Sequence, residues 1–166
     1  LDSVDVTVLG KSLSIRPKRS SWGERGKTVH EAATIRISTP HLRQASLSGA
    51  GSLSIKGMKN LRVDLYLNGT GSLSATAVSA DRLVVTLRGA GQAVIAGTTG
   101  NLVADVSGAS GLDANALKTM DAQLTAQTSG NVSLAVVRAA KIIATGSGTV
   151  NVAGRPACEI NNVGSG

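Results

Sequence analysis

A small, glycine-centred corner returns seven times in this chain, at Gly49-Ala50-Gly51, Gly69-Thr70-Gly71, Gly89-Ala90-Gly91, Gly108-Ala109-Ser110, Thr128-Ser129-Gly130, Gly146-Ser147-Gly148 and Gly164-Ser165-Gly166. Successive corners lie 20, 20, 19, 20, 18 and 18 residues apart. A period of this length belongs to a stacked repeat and not to a globular enzyme core. Glycine weakens a strand interior, so its return at fixed spacing marks sites that need positive φ or close backbone approach. Where Ser110 and Thr128 replace a corner glycine, the less strained slot is expected for them, with Gly111 and Gly130 taking the special conformation.

Between corners the apolar residues alternate. Leu61, Val63, Leu65 and Leu67 interleave with Arg62, Asp64, Tyr66 and Asn68, and the phase recurs at Leu83, Val85, Leu87 and at Leu102, Ala104, Val106. A period of two places one set inward and the other in solvent, which is the signature of a strand. After each corner the pattern resumes, as in Leu53 and Ile55 or Leu73 and Ala75. Asn60, Asp81, Asn101 and Asp121 stand before the first apolar residue of each following strand and read as turn formers. Segments such as Lys56-Gly57-Met58-Lys59 and Gly97-Thr98-Thr99-Gly100 form a variable third side.

A coil of about 20 residues at about 3.3 Å per residue has a perimeter near 60 Å, and coils stacked about 4.8 Å apart pair strand on strand in parallel. The predicted fold is all-β: a single-stranded right-handed parallel β-helix, or solenoid, with coils of about 18–20 residues. The left-handed hexapeptide solenoid fits less well, because the apolar spacing is two within strands. There is no Phe, one Trp and one Tyr, so Leu, Val, Ile and Ala must fill the interior. One coil cannot offset the entropy of its own ordering, and stability is expected to belong to the stack.

Residues 34–166 are expected to form the repeats, with Ile35 and Ile37 beginning them before Pro40. Residues 1–33 are expected to form N-terminal strands, Val4 to Val8 and Leu13 to Ile15 about a Gly10-Lys11 turn, followed by a long basic loop. The net charge of +7 concentrates near the N-terminal end. From Lys11 to Arg43 there are eight basic and two acidic residues, whereas the remainder is nearly neutral. Arg16, Lys18, Arg19, Trp22, Arg25 and Lys27 bring charge and an aromatic together and form the candidate ligand-binding set, suited to an acidic polysaccharide or lipid headgroups. The repeats lack the basic, aromatic-studded face that nucleic-acid binding requires. No apolar run is long enough for a spanning helix. The chain starts at Leu1, in a strand pattern and without an initiator Met, which reads as a processed or excised fragment whose export signal would lie upstream.

The run Ala33-Thr34-Ile35-Arg36-Ile37-Ser38-Thr39-Pro40-His41-Leu42, leading into Ala45-Ser46-Leu47-Ser48-Gly49-Ala50-Gly51-Ser52-Leu53, resembles the auto-transporter adhesin head GIN domain family. The phrase repeats at Leu65 to Leu73 and at Leu87-Arg88-Gly89-Ala90-Gly91. The resemblance implies a bacterial β-helical domain of the periplasm, the outer-membrane surface or a secreted protein, with an adhesive role and no catalytic residues to carry over.

The chemistry-bearing residues support that expectation. Polysaccharide-cleaving β-helices set carboxylates side by side on one sheet. Here Asp64, Asp105, Asp81 and Asp121 stand at different distances from their corners and do not stack. His30 and His41 have no nucleophile and orienting group around them in sequence. Cys158, the only cysteine, reads as a small buried or capping side chain and not a reactive thiol, and Asn68-Gly69-Thr70 and Asn131-Val132-Ser133 as chance glycosylation matches. The outward Ser52, Ser54, Ser72, Ser74 and Thr76 form a solubilising ladder that could also hydrogen-bond sugars. The expected function is a non-catalytic adhesion or scaffold module binding a glycan or another anionic surface, with no cofactor and with solenoid ends open to self-association. The alternative is a polysaccharide lyase or hydrolase on the same scaffold.

Overall fold

The computed structural model describes residues 4–17 and 34–165. The chain divides into two compact units, Leu1–Ile37 and Ser38–Gly166. In the first, β1 (Val4–Leu9) and β2 (Ser12–Pro17) form an antiparallel hairpin with Val6 opposite Ile15 and Val8 opposite Leu13. Gly10 takes φ 60° in the turn, as the Gly10-Lys11 pair suggests. Ile35 and Ile37 do not begin the solenoid: residues 34–43 carry no strand, and both side chains are exposed. Pro40 has no N–H to give a ladder, so alternation alone does not make a rung there.

The second unit is a parallel β-solenoid of about six turns, with no helix among the described residues. Its strands are β3 (Gln44–Ser48), β4 (Ser52–Gly69), β5 (Ser72–Gly89), β6 (Gln92–Gly108), β7 (Gly111–Thr128), β8 (Val132–Ala144), β9 (Val150–Gly154) and β10 (Ala157–Asn162). Hydrogen-bonded order runs β10-β8-β7-β6-β5-β4-β3, with β9 also on β8, and every pair is parallel.

Each long strand covers three sides, and the burial pattern shows where it bends. In β4, inward Ile55 and Met58 are separated by two outward residues, Lys56 and Gly57, and inward-leaning Asn60 and buried Val63 by Leu61 and Arg62. A strict alternation would allow one outward residue at each place, so each doubling is a corner that resets the phase. With the glycine corner this gives three corners per turn. One sequence expectation fails at such a reset. Leu61 is not inward like Val63, Leu65 and Leu67 but 78% exposed, because the corner falls between it and them.

The interior is a set of aliphatic columns. Leu47, Leu67, Leu87, Val106, Ala126 and Ala144 lie in register one above another, as do Ile55, Ala75 and Ile95 and, beyond a register shift, Ala114 and Leu134. In the second column large and small side chains follow one another, so each Ala leaves room for the longer chains of adjacent turns. A fully buried side chain of this size contributes about 1.5–3 kcal/mol. The absence of Phe follows from this geometry, since a ring at one level would need matching space above and below.

At the first corner Gly49, Gly69, Gly89 and Gly108 take φ of 99°, 124°, 108° and 87°. This conformation aims each carbonyl along the stack, where Gly69 O accepts from Ala90 N at 2.9 Å and Gly89 O from Ala109 N at 2.7 Å. A Cβ on Gly89 would stand 2.6 Å from the Gly69 carbonyl oxygen. Both requirements fall on the first corner residue. The expectation that Gly111 and Gly130 carry the special conformation is therefore corrected: neither has positive φ, and the turn above Gly108 instead uses Thr128. Its buried hydroxyl donates to Ser110 O at 2.7 Å and accepts from Gly130 N at 2.9 Å. A side chain there supplies hydrogen bonds that the glycine corners make with backbone alone.

Candidate functional site

The three sides differ in chemistry. The side before the glycine corner carries mixed polar residues, and ion pairs sit on it or at its near edge. Arg62 donates from Nε to both Asp64 oxygens at 3.0 and 3.1 Å, Arg138 holds Asp121 from the neighbouring turn, and Lys141 Nζ lies 2.9 Å from Glu159 Oε1. The hydrogen bonds to Asp64 raise Arg62 above its ordinary pKa, and the hydrogen bond from Arg138 lowers Asp121. The side after the corner carries the serine ladder, with Ser52 on Ser72 and Ser54 on Ser74 in register, as the sequence indicates.

The third side is different. Its outward positions form two adjacent columns, Lys59-Ser79-Thr98-Lys118 and Leu61-Asp81-Gly100-Met120. Long side chains therefore stand on the first and last of four turns, and short ones or none between them. The result is an open recess of about 890 Å³ whose edge also includes His41 and Arg43. Asn60 fixes that edge by donating from Nδ2 to Leu42 O at 2.9 Å, and Asp64 N donates to Arg43 O at 2.9 Å. Asn60 thus ties one turn to the chain below, a longer reach than the local turn-former role read from sequence.

Just ahead of this floor the strands change register. β6 is one residue shorter than β5 across the second corner, so its register slips and Gly97 comes opposite Val78. The following strand restores the residue, bringing Leu117 opposite Gly97 and Lys118 opposite Thr98. A second, smaller recess of about 310 Å³ lies where β8 drops residues opposite Asn115 and Ala116.

The walls of the larger recess repeat a phrase: Lys59-Asn60-Leu61 and Lys118-Thr119-Met120 each place a cation and an apolar side chain outward around an inward polar residue. Leu61 and Met120 are 78% and 44% exposed. Among the described residues, Arg43, Lys59 and Lys118 make no ion pair, and Asp81 is the one carboxylate lining the recess. Sequence reading missed this group because its members are scattered over residues 41–120. The recurrence of Lys-x-Leu and Lys-x-Met at equivalent places on the third side was the available signal.

Of the residues singled out in the sequence, Arg16 is exposed on β2 in register with Asp5, and Lys18, Arg19, Trp22, Arg25 and Lys27 lie outside the described residues. His30 does too. Asp64 pairs in register with Gln44 and Val84, and Asp105 with Thr86 and Thr125, so no two acids occupy neighbouring positions of a column. Among the described residues no three His, Cys, Asp or Glu side chains gather into a metal-binding group. Cys158 is exposed and not buried as expected, because β10 lies at the end of the described strand order and is exposed along its whole length; it forms no disulfide. No helix of the described residues is long and apolar enough to cross a membrane.

These features define a repeat protein whose rigid stack displays side chains on flat external faces. The family model for "Putative auto-transporter adhesin, head GIN domain" matches residues 1–156, and the chain belongs to this family. Its structure is similar to the crystal structure of a putative adhesin from Bacteroides fragilis, with a TM-score of 0.71 and 18% sequence identity over 97% of this chain and 77% of that one. At that identity the likeness concerns the fold. No curated protein matches the chain.

Proposed function

We propose that this domain is a non-catalytic adhesion module of an envelope-bound or secreted protein, and that it attaches to an anionic surface, an acidic glycan first among them. One observation carries the reading: the cations of the third side stand outside ion pairs, while most of the charge on the neighbouring side is paired. Exposed charges held on a rigid frame attract a polyanion without needing to break internal partners. Membership of an adhesin family is consistent with this role. The basic residues Arg16, Lys18, Arg19, Arg25 and Lys27, with Trp22 among them, would add to the same attraction. The alternative, a lyase or hydrolase, needs paired carboxylates that the register keeps apart.

Self-association is a further part of the proposal. Within the described solenoid β3 and β9 each pair along one edge, and a free strand edge can accept a strand from a second copy.

Retention of the protein on immobilised polygalacturonate and alginate, with dextran as the neutral control, tests the reading. Saturable retention on the acidic polymers alone, weakening as salt rises and leaving the polymers at full length, is the expected result. Equal retention on dextran, or none on the acidic polymers at low salt, would overturn it, and shortened polymer would favour the enzyme.

A further inference from the structure

The geometry points to the third-side recess as a site for a short acidic oligosaccharide laid across the turns, with its anionic groups toward both ends and its hydroxyls at the centre. This rests on the anionic-glycan reading above and names where and how that ligand is held. Lys59 and Lys118 stand three turns apart, about 14 Å at about 4.8 Å per turn. That span exceeds a single sugar and suits a chain of several. Beside each lysine an exposed apolar side chain, Leu61 or Met120, offers a surface for the C–H face of a sugar ring.

The floor discriminates among polyanions. Ser79 and Thr98 present hydroxyls, and Asp81 presents a carboxylate that repels an anion but accepts hydrogen bonds from neutral hydroxyls. A chain charged at every unit, such as polyphosphate, meets Asp81 unfavourably. An oligouronate can turn hydroxyls toward Asp81 and carboxylates toward Lys59, Arg43 and Lys118. The Gly100 position keeps the floor open, since a Cβ there would lie 2.9 Å from the Asp81 carbonyl oxygen.

The test uses tetragalacturonate and a polyphosphate of matched charge, measured by calorimetry at low salt. The variant Lys59→Gln with Lys118→Gln should bind tetragalacturonate about tenfold more weakly, since each exposed charge contributes up to about fivefold. Ser79→Leu with Thr98→Leu, which fills the floor and leaves the charge intact, should weaken it by a similar factor. Lys56→Gln with Arg88→Gln removes the same charge from other faces and should change affinity less than twofold. Asp81→Asn should narrow the preference for tetragalacturonate over polyphosphate. Circular dichroism confirms that each variant is folded. Equal losses from the Lys56/Arg88 and Lys59/Lys118 variants, or no loss from the filled floor, would overturn this site while leaving glycan binding standing. Failure of the unaltered protein to bind either acidic polymers or tetragalacturonate would overturn the broader reading as well.

Discussion

The glycine corner and the third side of the same turns obey opposite rules. At the corner, four successive turns place glycine with positive φ in the same slot, and Gly69, Gly89 and Gly108 each stand against the carbonyl of the turn below. At the second corner, where the chain enters the third side, it loses a residue in β6, regains it in β7 and shortens again in β8. The corner is fixed because its fit is made by backbone, which has one geometry. The corner that opens the third side also uses positive φ, at Gly57, Ala77, Gly97 and Gly154, but at no constant spacing, and beyond it the outward side chains accept exchange wherever the inward columns stay filled. Variation therefore collects on one face, and the recess with its unpaired cations lies there.

The sharpest way to break this contrast is to put a side chain into the corner. Gly89→Val would set Cβ against the Gly69 carbonyl oxygen at 2.6 Å and force a β-branched residue to φ 108°. Backbone strain of about 1–3 kcal/mol and a similar overpacking cost predict a loss of about 3–5 kcal/mol. Thr98→Val, on the third side and exposed, should stay within about 0.5 kcal/mol of the parent. Chemical denaturation of the two variants gives the measurement. Similar losses in both would mean that the two regions are equally constrained and that the comparison is empty.

The same contrast explains what could be read before any coordinates. Period, strand phase and parallel stacking were legible because the corner and the columns repeat, and repetition turns weak local patterns into a strong one. The direction of Leu61 was not legible, because a corner resets the phase without any residue type that announces it. Gly111 and Gly130 were misassigned for a related reason: sequence locates a glycine but not which corner slot has to point its carbonyl along the stack. The recess stayed hidden because its residues belong to four different turns. Lys59 and Lys118 become neighbours across a floor only when the β6 deletion and the β7 insertion are both placed in register.

Thr128 sharpens the comparison, since it is a side chain working at the backbone corner. Its hydroxyl bonds Ser110 O and Gly130 N, and the residue is 3% exposed. Thr128→Val keeps the shape and removes both bonds, leaving a buried acceptor and a donor unmet. A loss of about 2 kcal/mol is expected. Thr125→Val, on the outward column of the same strand, should cost less than about 0.5 kcal/mol. If the two matched, the hydroxyl at the corner would not be replacing backbone hydrogen bonds.

The smallest effect concerns the corner between the third side and the next, where Asp121 takes the Arg138 guanidinium from the neighbouring turn. The hydrogen bond from Arg138 lowers the Asp121 pKa below its ordinary value. A carboxylate with a depressed pKa stabilises the fold at pH above its unfolded-state value, and this contribution disappears as pH falls through the folded-state pKa. Arg138→Gln should therefore narrow its stability gap from the parent as the solution is acidified below the ordinary carboxylate range, with the gap largest near neutrality. The pair is exposed, so solvent screening keeps the difference small and added salt should shrink it further. Thermal melts of the two proteins from neutral pH into that acidic range, at low and high salt, give the comparison. A gap that held constant with pH would show that Arg138 acts there by packing its aliphatic stem over the corner, and that this corner, like the glycine one, is held by shape.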